Sequence, residues 1–184
     1  MKRQVAACAL TAAVLFTGCA TEPQAQVLSE EAQPIRMSCE PVETFYPVPL
    51  KADVQRYIKD LCIEEGIDPT VIIAMIEVES SYASDILGDG GNSFGLMQVQ
   101  PRWHSERMQA LGITNLLDPK QNITVGIDIL AELVAKYDGN IEMALVAYNA
   151  GPTGAYRHWF SRGVYSSDYS KKVLAISAEL KGES

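Results

Sequence analysis

Asp68-Pro69-Thr70-Val71-Ile72-Ile73-Ala74-Met75-Ile76-Glu77-Val78-Glu79-Ser80 is the stretch on which the reading of this chain turns. Asp68 suits an N-cap. Pro69 then occupies the first helical position, where its fixed φ and missing N–H do no harm, so a helix opens here and runs to about Ser80. At about 100° per residue, Val71, Met75, Ile72 and Ile76 fall at about 0°, 40°, 100° and 140°. Glu79 falls at about 80°, inside that apolar stripe, while Glu77 falls at about 240°, beside Ser80 at about 180°. One carboxylate therefore points outward and the other into apolar surroundings at the helix end. Desolvation disfavours ionisation, so an inward glutamic acid keeps its proton nearer neutrality and can act as an acid. The same position suits a structural ion pair or a backbone hydrogen bond, and the helix alone leaves that choice open.

Working outward, the chain reads as helices joined by short loops, a mainly α fold. Asp53 is expected to cap a helix carrying Val54, Tyr57, Ile58 and Leu61, closed by Gly66. Asp118-Pro119 repeats the Asp-Pro device and launches a long helix with the stripe Ile123, Ile127, Leu130, Val134 and Tyr137. Asp138-Gly139-Asn140 turns the chain into a helix with Ile141, Ala144, Leu145 and Tyr148 on one face, stopped at Gly151-Pro152. A last helix is expected from about Ser167 to Leu180. Leu87 to Ser93 is glycine-rich and too polar for a core, and a small β-hairpin is expected around it.

Toward the N-terminus the character changes. Lys2 and Arg3 precede the apolar run Val5 to Phe16, which is shorter than the ~20 residues of a spanning helix and reads as an export signal. Leu15-Phe16-Thr17-Gly18-Cys19 resembles a bacterial lipobox, with Phe16 where an aliphatic residue is usual. Cys19 is then the residue that carries lipid; a plain cleaved signal is the alternative. Residues 1–18 are thus read as a lipoprotein-type signal peptide, 19–50 as an extended tether holding five of the nine prolines, and 51–184 as one domain.

Losing residues 1–18 removes two bases and no acid, which moves the net charge from -8 to -10. So acidic a chain gains little from phosphate backbones, and no nucleic-acid partner is expected. After export Cys39 and Cys62 share an oxidising compartment, either bridged or with Cys62 as a buried thiol one turn after Ile58. Their separation fits no zinc pattern, and with two histidines no metal site is expected. The glycine loops lack the lysine of a phosphate-binding loop, so no cofactor is expected either. A cysteine peptidase would need Cys62 beside His104 or His158, but Cys62 lies mid-helix without a nucleophile's context.

Three motifs bear on Glu79: Glu79-Ser80 itself, Gly95-Leu96-Met97-Gln98, and Ala147-Tyr148-Asn149-Ala150-Gly151-Pro152. With Asp118-Pro119, Asn122-Ile123 and Gly126 between the last two, they resemble the soluble-lytic-transglycosylase domain of the lysozyme superfamily. The resemblance covers about Asp53 to Leu180; each motif alone is weak, and their order and spacing make the signal strong. It implies a lysozyme-like α+β domain acting on peptidoglycan glycan strands, with Glu79 as sole acid and base. It further implies that Ser80, Met97 and Gln98 belong to the substrate site, Gln98 donating to a sugar. Tyr148 would set its hydroxyl against the Glu79 carboxyl, and Asn149 would bond saccharide or cleft wall. Read from the residues alone, Met97 is also suited to core filling and Tyr148 to being a buried tyrosine with a satisfied hydroxyl.

Many members of that family carry Glu-Thr-x-x-Tyr before the last helix; here the stretch is Tyr165-Ser166-Ser167-Asp168-Tyr169, so a second cleft acid is absent or displaced to Asp168. The reaction implied is non-hydrolytic cleavage between N-acetylmuramic acid and N-acetylglucosamine, ending in a 1,6-anhydro ring. Gly88 to Val99 also resembles goose-type lysozymes, in which a loop aspartate, matched by Asp89, helps hold an attacking water. A second aspartate of that family is Gln100 here, and Asp89 also suits a turn in a glycine loop. A non-catalytic glycan-binding protein of the same fold would have lost the acid, and Glu79 is intact. Partners expected are glycan strands, a membrane through lipid on Cys19, and a secretion or conjugation apparatus if the enzyme opens the wall for one.

Overall fold

A computed structural model describes residues 45–183. Its helices are α1 (Ala52–Glu65), α2 (Pro69–Ser80), α3 (Pro101–Ala110), α4 (Pro119–Lys136), α5 (Ile141–His158) and α6 (Asp168–Lys181). Between α2 and α3 lies the expected hairpin. Its strands β1 (Leu87–Gly88) and β2 (Ser93–Phe94) pair antiparallel, Leu87 opposite Phe94, around a 3₁₀ turn at Asp89–Gly91.

The Asp-Pro devices work as local chemistry dictates. The Asp68 carboxylate accepts from Thr70 N–H, and that of Asp118 from Gln121 N–H, each satisfying a backbone donor that the first helical turn leaves unpaired. Gly66 closes α1 in the left-handed conformation, and Ser167 caps α6. Asp53, expected as a cap, lies inside the first turn of α1 and pairs with Lys120 at 3.2 Å; Lys51 holds the cap position without a side-chain bond.

Packing sets α2 at the centre. It runs along α6, while α5 packs on α4 and α6, and α1 on α4. Val71, Ile72, Ile73, Ala74, Met75 and Ile76 are all buried, so α2 has no solvent face along these turns. The one-sided stripe therefore understates its burial. Its C-terminal turn emerges from the core, and only there does direction matter.

Three expectations need correction. Residues 101–110 form a helix that periodicity misses: α3 has no buried residue and is kinked at His104, so no apolar stripe marks it. The helix expected to stop at Gly151 bends there, with φ 68° and ψ 152°, and continues from Pro152 to His158. The tether does not extend to Leu50. Tyr46, Val48 and Leu50 pack on the core, and the buried Gln55 amide bonds the Tyr46 and Leu50 carbonyls and accepts from Tyr46 N–H. Cys62 is a free buried thiol, which burial pushes up to about 12. Cys19 and Cys39 lie outside the described residues.

Candidate active site

Glu79 sits in the last turn of α2, where the buried helix meets a cleft of about 780 Å³. Burial raises its carboxyl above the ordinary glutamate value, and a hydrogen bond from Tyr169 pulls it partly back. That bond, Tyr169 Oη to Glu79 Oε1, is 2.7 Å long and ties α6 to α2 at the cleft floor. Tyr169 keeps its own proton because burial and then the Glu79 charge push its hydroxyl far up. Glu77, expected to face outward, is half-buried. Ser81 and Tyr82 take left-handed conformations after α2 and fold the chain back, so that Tyr82 Oη donates to Glu77 Oε2 at 2.9 Å.

The opposite wall is built on the turn Gly95 to Gln98, fastened by the fully buried Asn122 of α4. Asn122 Oδ1 accepts from Met97 N–H at 2.8 Å, and its Nδ2 donates to the Phe94 and Leu116 carbonyls at 2.7 and 2.9 Å. Gly95 lies at φ 68°, and a Cβ there would stand 2.5 Å from the Leu116 carbonyl oxygen, so the turn admits no side chain.

That turn decides which motif residues reach the cleft. Gln98 does: at φ 48° its side chain lies across Gly88 and its Nε2 donates to the Gly95 carbonyl at 2.9 Å, leaving a second N–H for a ligand. Met97 does not. Its side chain is fully buried against Gly126 of α4, where a Cβ would come 2.3 Å from the sulfur, so the residue expected to line the cleft fills the core. Its carbonyl instead accepts from Tyr148 Oη at 2.9 Å. The Tyr148 hydroxyl, expected on the Glu79 carboxyl, is thus held by the turn, and Tyr169 supplies the hydroxyl that meets Glu79.

Ser80 is also turned away. Its buried hydroxyl donates to the Ile76 carbonyl one turn back, at 2.9 Å. Asn149 is exposed on the cleft wall just before the Gly151 bend. Asp89 lines the cleft from the hairpin at φ 49°, its Oδ2 accepting from Gln100 Nε2 at 3.3 Å; the same nitrogen donates to Ser93 Oγ at 3.0 Å. Asp168 is exposed at the start of α6 and does not line the cleft. Among the described residues no cluster of histidine, cysteine or carboxylates could hold a metal ion.

Reading by motif gave no site role in this cleft to Tyr169, to Asn122, or to the Trp103 and His104 side chains that α3 brings to it. Tyr169 had a signal, since it holds the tyrosine position of the Glu-Thr-x-x-Tyr pattern. Trp103 and His104 had none, because their helix carries no apolar period.

The family described as Transglycosylase SLT domain matches residues 56–171, a span that encloses the cleft from α1 to α6. The transglycosylase of Enterobacteria phage PRD1 is 33% identical over 109 residues, covering 59% of this chain and 37% of the phage protein. Lysozyme g of Gallus gallus is 34% identical over 142 residues, covering 71% of this chain and 63% of the bird protein. The chain thus spans less than two thirds of either relative. In fold it resembles the 70 kDa soluble lytic transglycosylase of Escherichia coli, with TM-score 0.61, 23% identity, and coverage of 73% of this chain and 24% of that one.

Proposed function

The chain belongs to the transglycosylase SLT domain family, and from that premise we propose that it is a peptidoglycan lytic transglycosylase with Glu79 as its single acid and base. The observation that carries the proposal is the half-buried Glu79 carboxyl opening on a saccharide-sized cleft, its pKa raised by desolvation. With Oε1 accepting from Tyr169, Oε2 carries the transferable proton. Glu79 gives that proton to the oxygen between N-acetylmuramic acid and N-acetylglucosamine, and the sugar's own N-acetyl group stabilises the cationic carbon. The ionised Glu79 then takes the proton of the C6 hydroxyl, whose oxygen closes the 1,6-anhydro ring. The Tyr169 hydroxyl stabilises the carboxylate between these steps. One carboxyl suffices because the nucleophile belongs to the substrate, whereas a hydrolase must hold a water with a second group.

Gln98 and Asn149, both on the cleft, are the proposed saccharide donors. For location, we propose export and attachment through lipid on Cys19. Among the described residues no helix is long and apolar enough to cross a membrane.

The second reading is a hydrolytic muramidase, favoured by the similarity to lysozyme g and by Asp89 on the cleft. Against it, Gln100 donates to Asp89 where a second water-holding carboxylate would be needed. Mass spectrometry of muropeptides released from purified sacculi separates the two, since anhydro and reducing ends differ by one water. Anhydro-ended products that persist in Asp89→Asn, vanish in Glu79→Gln and survive Glu77→Gln are expected. Reducing-end muramic acid as the main product, lost in Asp89→Asn, overturns the transglycosylase reading. General-base assistance is commonly worth ~10²–10⁴-fold, so such a loss would be plain.

A further inference from the structure

Trp103 is 71% exposed, although it is the largest apolar side chain on the cleft. A tryptophan left in water at the mouth of a cleft has an unused face. Arg102 covers part of the ring, its guanidinium carbon 4.9 Å from the centroid, and donates to Gln100 Oε1 at 3.2 Å. The hydrogen bond and the ring hold the guanidinium in one place while leaving donors free. The other arginine of α3, Arg107, is paired with Asp128 and Glu132.

Charge gives this pair its meaning. The cleft lining includes Glu79 and Asp89 but no lysine or arginine, and the whole chain carries -8. An anionic group on a bound glycan finds no cationic partner on that floor. At the rim, beside the one indole in the cleft, Arg102 offers a fixed cation in bidentate geometry for a carboxylate.

We propose that Trp103 and Arg102 form a subsite for a muramyl residue that still carries its peptide. The pyranose ring lies on the open face of Trp103, and a peptide carboxylate pairs with Arg102. The pair thus makes the enzyme discriminate between peptide-bearing and bare strands. This rests on the reading of the chain as a peptidoglycan-cleaving enzyme.

The test is calorimetric binding to the full chain carrying Glu79→Gln, with soluble glycan tetrasaccharides that either bear tetrapeptides or have been stripped of them. Peptide-bearing tetrasaccharide should bind about threefold to fivefold more tightly, the scale of an exposed ion pair, and adding Arg102→Gln should abolish that ratio. Trp103→Ala should weaken both ligands about tenfold and, because the ring also holds Arg102, shrink the ratio, with Trp103→Phe restoring most of both. A ratio that survives Arg102→Gln, unchanged affinities in Trp103→Ala, or no binding of either ligand overturns the proposal. These affinities are read without cleavage. A wild-type chain that releases no muropeptides would therefore sink the reaction while leaving the subsite comparison intact.

Discussion

Asn122→Leu is the most informative perturbation of the cleft's architecture, because it removes three hydrogen bonds while keeping the branched shape of the side chain. The Phe94 carbonyl retains a second donor, Val99 N–H at 3.1 Å. The Met97 N–H and the Leu116 carbonyl lose the Asn122 side chain that binds each of them. Two buried polar groups orphaned at about 1–3 kcal/mol each give a cost of about 2–6 kcal/mol. The added apolar surface returns about 1–2 kcal/mol, but a methyl standing where Nδ2 lies 2.7 Å from the Phe94 carbonyl oxygen costs about 1–3 kcal/mol of overpacking. A net loss of about 1–8 kcal/mol is therefore expected, a large share of the ~5–15 kcal/mol that holds a domain together. Urea unfolding should show the midpoint falling with the slope unchanged, the mark of a change in stability alone. Activity at temperatures where the variant stays folded should fall as well, since the Met97 carbonyl that seats Tyr148 belongs to the released turn. A loss below about 1 kcal/mol would refute the reasoning, because it would mean that the turn finds other partners and is not fastened by Asn122.

The pH dependence follows from Glu79. As its folded pKa is raised, kcat/KM should fall as pH rises through that raised value. Tyr169→Phe, which removes a bond favouring the carboxylate, should move this alkaline limb to higher pH; a downward move would contradict the assigned donor. The same shift makes Glu79 a stability liability. Its favourable contribution is complete below the unfolded-state pKa and is lost as pH rises through the folded one, so Glu79→Gln should gain stability over wild type with rising pH in thermal melts. Gly126→Ala gains about 1 kcal/mol of helix propensity but drives a methyl into the Met97 sulfur, which commonly costs ~1–3 kcal/mol, so a net loss is expected in denaturant unfolding. Cys19→Ala should release the protein from membranes, or halt its processing, without changing activity of the isolated domain; a processed variant found still in the membrane fraction would count against lipid attachment.

Where sequence and structure agree, the determining chemistry is local. An aspartate followed by proline caps a helix through bonds to residues two or three positions away, so Asp68 and Asp118 mark α2 and α4 whatever surrounds them. Glycine-rich polarity between Leu87 and Ser93 likewise requires a tight turn, and a hairpin forms there. The order and spacing of the three motifs name the family, because a shared fold fixes how far apart along the chain its cleft residues fall. By itself, then, the sequence determined the helices with local punctuation, the hairpin, the family and the candidate acid at the end of α2. Only the tertiary structure decided which side chains meet that acid. Met97 and Gln98 are neighbours in one turn, yet one enters the core and the other the cleft, because Asn122 pins the backbone between them. Tyr148 and Tyr169 are both helix tyrosines near Glu79, and which hydroxyl reaches it depends on how α5 and α6 pack. The helix α3 is recognisable only in place, since it buries no residue and is held by Arg107 pairing with two acids of α4. Contacts between residues 51 or 90 positions apart leave no periodic trace in a chain, and the packing of the helices is what creates them.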